Sequence, residues 1–170
     1  MSPAKHYQLI PSTDTWIKIL HPVELASYPS DEAASWENFY ARHINAPDFF
    51  RVATLENGEA FGFVNGTLTA ESILTEECMS MHDPNGVHLC IHTVVVKEEL
   101  RRQGLATWML KEYVKQILAA HKYLHSIRLI CKDNLITFYK NCGFELIGQS
   151  SVVHGATPWF EMQMQLPSNG

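Results

Sequence analysis

A strand that leads directly into a helix is the feature that most constrains how this chain can fold. Residues 88–96 read HLCIHTVVV, which predicts a buried strand, and residues 104–121 carry apolar side chains at intervals of three and four, which predicts a helix with one buried stripe. Because successive side chains of a strand point to opposite faces, two imidazoles and a thiol are predicted to share one face: His88, Cys90 and His92. The other face is predicted to carry Leu89, Ile91 and Thr93.

The loop between this strand and this helix contains Arg101, Arg102 and Gly104. The first N–H groups of a helix have no partner within it, and with the helix dipole they can bind a diphosphate. Glycine lets a phosphate approach the backbone, while Ala106 keeps the next turn slim and Thr107 adds a hydroxyl. A basic loop of this kind is more often a plain helix N-terminus, so the pattern alone leaves both interpretations open.

The rest of the pattern predicts one domain over residues 1–170, built as a mixed α/β sheet with helices on both faces. Asn57 and Gly58 indicate a hairpin between strands at residues 50–55 and 60–68. Ser30 or Asp31 is predicted to cap a helix that reaches Ile44. Further strands are predicted at residues 16–20, 126–131, 144–152 and 159–166, a loop at residues 82–86 before the strand that ends at Val96, and a further helix at residues 134–142.

Composition limits the classes of partner. Lysine and arginine total 13 against 18 aspartate and glutamate, and a net charge of −5 without a basic cluster argues against nucleic acid and favours a cationic small molecule. No apolar segment is long enough for a signal peptide or a membrane span, and the four cysteines form no C-x-x-C pair. We therefore expect a cytoplasmic monomer with reduced thiols that does not interact with membranes.

Tyr139 lies on the apolar stripe of the helix predicted at residues 134–142. This spacing favours a core tyrosine whose hydroxyl finds a hydrogen-bond partner, whereas a place in a ligand pocket would give the hydroxyl a chemical role. The polar face of the strand also has more than one interpretation. Its two histidines and its thiol can be core groups with hydrogen-bond partners, a proton-transfer site or a soft metal site.

Taken together, these motifs resemble those of the GCN5-related N-acetyltransferase superfamily, and more closely those of the arylalkylamine (serotonin) N-acetyltransferases. The resemblance rests on residues 94–106 and 138–144, and it extends over most of the chain. The matching segments lie at residues 28–34, 62–68, 88–96, 131–139 and 155–162.

This resemblance implies acetyl-CoA as the cosubstrate and a mostly antiparallel sheet that splays between its fourth and fifth strands to hold the pantetheine arm. Backbone groups of Val94, Val95 and Val96 would hold that arm, with the Val94 N–H at the oxyanion of the tetrahedral intermediate. The pyrophosphate would lie on the loop and the first helical turn, formed by Arg101, Arg102, Gln103, Gly104, Leu105, Ala106 and Thr107.

In the vertebrate members, a His-x-His pair on this strand takes the proton of the amine and a tyrosine helps the thiolate to leave. His92 matches the second histidine and Tyr139 matches the tyrosine, but Cys90 stands in the first position. His88, two residues earlier on the same face, is the candidate replacement. The phosphorylation segments that bind 14-3-3 proteins have no match, so no 14-3-3 partner is expected and a fungal or microbial-type member is favoured.

The resulting hypothesis is an enzyme that acetylates an arylalkylamine, such as tryptamine, serotonin or phenethylamine, by direct attack in a ternary complex without a metal. Two alternatives stay open: a polyamine acetyltransferase, and a non-catalytic module that binds acyl-CoA or a metal. The aromatic residues available to an aryl-binding pocket are Phe49, Phe50, Phe63, Trp159 and Phe160. The acidic residues that can attract a cation, or simply face solvent, are Asp31, Glu32 and Glu37.

Overall fold

A seven-stranded sheet organises the computed structural model, which describes residues 6–167. The strands are β1 (Gln8–Pro11), β2 (Arg51–Thr54), β3 (Ala60–Thr69), β4 (His88–Val96), β5 (Ser126–Cys131), β6 (Glu145–Gln149) and β7 (Phe160–Gln165). The α-helices are α1 (Asp14–Ser27), α2 (Trp36–Asn45), α3 (Glu76–Ser80), α4 (Leu105–Ala120) and α5 (Ile136–Asn141). Short 3₁₀ turns lie at Pro47–Phe49, Glu98–Leu100 and Asp133–Leu135. None of the helices described is both long and apolar enough to cross a membrane.

The strands follow the order β1-β2-β3-β4-β5-β7-β6, and every neighbouring pair is antiparallel except β4 and β5. The parallel pair is short, since its register runs only from His88 opposite Ser126 to Ile91 opposite Leu129. Beyond Ile91, β4 keeps its pairing with β3 but no longer pairs with β5. The predicted mixed sheet that splays between its fourth and fifth strands is therefore confirmed.

Two apolar clusters on the sheet confirm the prediction of helices on both faces. Helix α4 packs on one face through its buried side chains, which include Met109, Leu110, Tyr113 and Ile117. Helices α1 and α2 pack on the other face through side chains that include Ile17, Leu20 and Phe39. The two layers hold the sheet rigidly, so the gap between β4 and β5 is part of the fold.

A β-bulge at His92 changes the predicted alternation along β4. Asn65 of β3 lies opposite Thr93 and the next residue, Gly66, lies opposite Ile91, so His92 is the extra residue of the bulge. Downstream of the bulge, the Thr93 hydroxyl lies 3.4 Å from the carboxylate of Glu24 on α1. The prediction that Thr93 lies on the face opposite His92 is therefore wrong, because one inserted residue shifts the pleat.

The first predicted strand, at residues 16–20, is wrong, because these residues lie within α1. The Thr13 hydroxyl caps this helix by accepting a hydrogen bond from the Trp16 N–H at 3.2 Å. Pro22 lies within α1 on its exposed side, where water can bond the carbonyl of Lys18 that proline leaves without a donor.

The loop predicted at residues 82–86 is confirmed, and it is a turn in which the side chain and carbonyl of Asp83 accept hydrogen bonds from the N–H groups of Asn85 and Gly86. One further boundary differs from prediction. The helix predicted from Ser30 or Asp31 begins only at Trp36, where Ser35 supplies the cap. Residues 30–34 are thereby left as an irregular segment that borders the gap in the sheet.

Candidate active site

A cavity of about 350 Å³ opens where β4 and β5 diverge. It lies between residues 91–94 of β4 and residues 129–131 of β5. The segment from α1 to α2 and the loop before β7 close its other sides. The residues on which its chemistry depends are Glu24, Tyr28, Arg42, His92, Val94 and Tyr139.

His92, the extra residue of the bulge in β4, lines this cleft. Its Nε2 lies 2.7 Å from the hydroxyl of Thr67 on β3, while its Nδ1 is buried without a hydrogen-bond partner. Burial lowers the pKa of His92 well below its usual value, and the positive charge of Arg42 lowers it further. A neutral imidazole with one free ring nitrogen can take a proton from a group in the cleft.

Tyr139 lines the same cleft, and the structure thereby brings together the two side chains that were assigned to proton transfer. Its ring packs against Phe138 and Phe144 at centroid distances of 5.0 and 5.9 Å, which holds it in place. Burial raises the pKa of Tyr139 well above its usual value, and neighbouring Tyr28 adds to that shift. The phenol therefore stays protonated and can donate a hydrogen bond into the cleft.

Tyr28 is a cleft residue whose role the sequence reasoning missed. Burial raises the pKa of its hydroxyl, while a hydrogen bond from the backbone N–H of Val94 acts in the opposite direction. The Val94 N–H therefore points away from β3 into the gap, as an oxyanion donor must. Backbone direction alternates along a strand, so Val96 presents its backbone to the gap as well, whereas the backbone of Val95 faces β3.

Glu24 is the second cleft residue that sequence reasoning missed. Only 2% of its surface is exposed, and its Oε1 accepts a hydrogen bond from the Ala34 N–H at 3.2 Å while Oε2 has no partner. Burial raises the pKa of this carboxyl. A signal was present, because Glu24 shares the buried stripe of α1 with Ile17 and Leu20, but it becomes visible only when residues 14–27 are taken as one helix.

Glu24 provides a prediction about stability. Its folded pKa is raised above the 4.5 of an unfolded chain, so the carboxyl favours the folded state below that pH and loses this contribution as pH rises through the folded pKa. At neutral pH, Glu24→Gln should therefore raise Tm, by roughly 2–4 °C for each kcal/mol gained. Desolvation is the larger effect here, so the gain should survive the lost attraction to Arg42.

Thermal melts of the wild type and of Glu24→Gln between pH 4 and 8 check this prediction. The difference in Tm should shrink as the pH falls toward 4.5, where the unfolded carboxyl also gains its proton. Glu37→Gln removes an exposed carboxylate from α2 and should show no such trend. A variant that is less stable than the wild type at neutral pH contradicts the assignment of Glu24 as a strained buried charge.

The N-terminus of α4 has the conformation that a phosphate cradle requires. Gly104 precedes the helix with φ +79° and no side chain caps the N-terminus, while a Cβ at this position would meet no atom within 4 Å. Arg102 also has positive φ, and its side chain is exposed. Arg101 is engaged differently, because its guanidinium donates to the carbonyl of Val96 at 2.9 Å and to Ser27 at 3.1 Å. Arg101 thus ties the loop to β4 and α1.

The structure separates His88 from the cleft. Its Nδ1 lies 2.7 Å from the hydroxyl of Ser126, and its ring contacts His125, so it belongs to a cluster at the other end of β4. Cys90 is fully buried against Met79 and lies outside the cleft lining. Among residues 6–167, no group of three or more histidine, cysteine or acidic side chains is placed to hold a metal ion.

Trp159 is the aromatic candidate that lines the cleft, whereas Phe49, Phe50 and Phe63 lie in the hydrophobic core. At the mouth, the Lys132 ammonium lies 4.5 Å from the centre of the Trp159 ring and forms an ion pair with Glu32. These contacts connect the loop before β7 to the segment before α2. Asp31 also borders the cleft, whereas exposed Glu37 on α2 does not.

Comparison with known sequences places the chain among acyl-transferring proteins. Residues 13–144 match the acetyltransferase (GNAT) family. Serotonin N-acetyltransferase of Mesocricetus auratus is 30% identical over 111 residues, which are 65% of this chain and 53% of that protein. The chain therefore matches about half the length of this relative.

Two solved structures share the fold. The loading GNATL domain of CurA from Lyngbya majuscula superimposes with a TM-score of 0.81 at 14% identity, covering 94% of this chain and 98% of that one. The GphF GNAT-like decarboxylase in complex with isobutyryl-CoA gives a TM-score of 0.79 at 15% identity, covering 94% of this chain and all of that one. At these identities the likeness concerns the fold alone.

Proposed function

The chain belongs to the acetyltransferase (GNAT) family, and we propose that it transfers the acetyl group of acetyl-CoA to the primary amine of a small aryl-bearing acceptor. One observation carries this proposal: the gap between β4 and β5 brings the free Nδ1 of His92 and the phenol of Tyr139 into one cavity. A general base and a hydrogen-bond donor are the two groups that thioester aminolysis needs.

The residues around the gap fit acetyl-CoA. The pyrophosphate would lie on the uncapped N-terminus of α4, where the open space over Gly104 admits it, with Arg102 supplying charge. The pantetheine arm would follow the unpaired edge of β4 and bond the backbone groups of Val94 and Val96. In the absence of CoA, the Tyr28 hydroxyl occupies the Val94 N–H, so the thioester oxygen would displace it.

The reaction follows from these positions. The free amine attacks the thioester carbonyl carbon, the new C–N bond forms, and the C–S bond breaks to release CoA as a thiolate. The thiolate takes a proton from solvent, while the proton of the amine leaves through His92. An alkylamine with a pKa of about 10.4 is almost entirely protonated near neutral pH, so a base must take its proton, and His92 Nδ1 is that base. The Val94 N–H stabilises the oxyanion, and Tyr139 donates a hydrogen bond to the departing sulfur.

An aryl group on the acceptor is supported by two features. Tyr28 and Trp159 provide aromatic surfaces in the cleft, and the curated relative named above is a serotonin N-acetyltransferase. A polyamine acceptor is the second candidate, because Glu24, Asp31 and Glu76 place several carboxylates along the same cleft. The microbial origin stays a prediction, since the relative named above is mammalian.

Thiol release from acetyl-CoA upon addition of an amine tests the proposal. A panel of tryptamine, serotonin, phenethylamine, spermidine and putrescine separates the aryl acceptors from the polyamines. Release with the aryl amines supports the proposal, and release with only the polyamines favours the second candidate. Binding of acetyl-CoA without turnover for any amine would contradict the proposal and identify a non-catalytic acyl-CoA module.

The phosphate cradle provides a prediction of its own. Gly104→Val should raise the KM for acetyl-CoA by about 10-fold or more with a smaller change in kcat, because the side chain would fill the space above the helix N-terminus. Initial rates at varied acetyl-CoA concentration measure the effect.

Gly58→Val is a matched control for this variant. Gly58 lies in the β2–β3 turn with φ +86° and, like Gly104, has no atom within 4 Å of a Cβ. Both substitutions impose the same backbone strain, since side chains rarely adopt these angles. Equal effects on the KM of both variants would attribute the loss to strain and remove the cradle from the site.

A further inference from the structure

Arg42 places a cation in a cleft that is proposed to bind a basic amine. It lies on α2, lines the cleft beside His92 and Met79, and also lines a small adjoining pocket of about 40 Å³. This guanidinium would repel a simple ammonium ion, because like charges repel strongly at short range in a partly buried site and neither charge is fully solvated there. The arginine therefore requires an explanation beyond amine binding.

The hydrogen-bonding capacity of Arg42 is largely unused. Its Nη1 donates to Asn65 Oδ1 at 3.5 Å, which is a long contact. Among the ion pairs of residues 6–167, none joins Arg42 to a carboxylate within 4.0 Å. The amide nitrogen Nδ2 of Asn65 is itself buried without a partner. Arg42 therefore brings to the cleft a charged donor that has no ion-pair partner and one long side-chain hydrogen bond.

A negative charge in the same cleft belongs to Glu24 on α1. Glu24 is close enough to Arg42 for each charge to influence the pKa of the other, yet the two side chains form no ion pair. The Oε2 of Glu24 is buried and has no partner. The cleft therefore carries the unpartnered carboxylate oxygen of Glu24 and the guanidinium of Arg42, which forms no ion pair, and these two groups are complementary to a zwitterion.

We infer that the acceptor carries a carboxylate in addition to its amine, with the carboxylate bound by Arg42 and the amine directed toward Glu24 and His92. The guanidinium fork matches a carboxylate through two parallel hydrogen bonds. With the aromatic lining of the cleft, this describes an aromatic amino acid rather than a simple arylalkylamine. The inference rests on the proposed function, because it names the acceptor of the same reaction.

Matched pairs of acceptors test it on the wild-type protein. Thiol release from acetyl-CoA is measured with tryptophan against tryptamine, phenylalanine against phenethylamine, and tyrosine against tyramine. Hydrogen bonds to a charged group contribute about 1.5–3 kcal/mol, so kcat/KM should be about 10- to 100-fold higher for the amino acid of each pair. The members of a pair differ only in the carboxylate, so the aryl contribution cancels.

Two variants test whether Arg42 causes the preference for the amino acid. Arg42→Gln should abolish the preference for the amino acid, and Arg42→Lys should retain part of it because the charge remains without the fork. Lys18→Gln removes the same charge from an exposed position of α1 and should leave the preference as in the wild type. If Arg42→Gln does not fold, the inference is still tested by the kcat/KM ratios of the wild-type protein and of Arg42→Lys.

The outcomes separate this inference from the proposed function. Acetylation of the simple amines, with their amino acids equal or poorer, overturns the inference and leaves the proposed function intact. A preference for amino acids that persists in Arg42→Gln also overturns it. No thiol release with any acceptor contradicts the proposed function and the inference together.

Discussion

Replacing His92 with glutamine is expected to lower kcat by up to about 100-fold near neutral pH, since a general base typically contributes that much. Glutamine can keep a hydrogen bond to the Thr67 hydroxyl, which contacts Nε2 at 2.7 Å, but it cannot accept a proton as Nδ1 does. The fold should be unaffected, and the loss should appear in kcat rather than in the KM for acetyl-CoA.

The pH profile identifies the cause. Burial and Arg42 lower the pKa of His92, so the imidazole is unprotonated throughout the neutral range, and protonation of this base should reduce wild-type activity only at lower pH. Without it, the rate should rise with the fraction of free amine and approach the wild-type rate near the amine pKa of about 10.4. If the ratio of wild-type kcat to His92→Gln kcat is the same at all pH values, His92 is excluded as the base.

His88→Gln is the matched control on the same strand. The sequence suggested that His88 replaces the first histidine of the pair, but the structure places it against Ser126, outside the cleft. We therefore expect this variant to retain wild-type kcat. A loss as large as that of His92→Gln would support a relay through His88 and revise the assignment.

Tyr139→Phe is expected to lower kcat by about 10-fold or more, with acetyl-CoA affinity and Tm nearly unchanged. The raised pKa of Tyr139 refines its role: a phenol less acidic than a thiol does not transfer its proton fully, so it acts by donating a hydrogen bond to the developing thiolate. Loss of that donor should slow C–S cleavage. Acetyl thioesters with more acidic thiols should be less sensitive to the substitution.

Tyr113→Phe shows what a core tyrosine does. Tyr113 is fully buried on α4, and its hydroxyl donates to the carbonyl of Phe49 at 2.7 Å, away from the cleft. Its substitution should cost about 1 kcal/mol of stability and leave kcat unchanged. If Tyr139→Phe behaves in the same way, Tyr139 is a core residue and the departing thiolate is stabilised by solvent.

Local patterns were sufficient where an element's own periodicity decides its structure. The strand from His88 and the helix from Leu105 were predicted because their apolar spacing is unbroken, and Tyr139 was placed on a stripe that packs beside the cleft. Patterns failed where an apolar run is short. Residues 16–20 were predicted as a strand but lie within α1, because a run of five residues does not distinguish a strand from one turn of a buried helix.

The sequence by itself determined the mixed sheet, the strand-to-helix unit with Gly104 at the start of the helix, and the choice of His92 and Tyr139 as candidate site residues. Only the tertiary structure decided which polar residues share the cleft. Glu24 and Arg42 come from helices far from β4 in the chain, and the bulge at His92 brings Thr93 to the same cleft against strand alternation. Burial then sets their pKa values, because desolvation depends on what packs around a group and not on its neighbours in sequence.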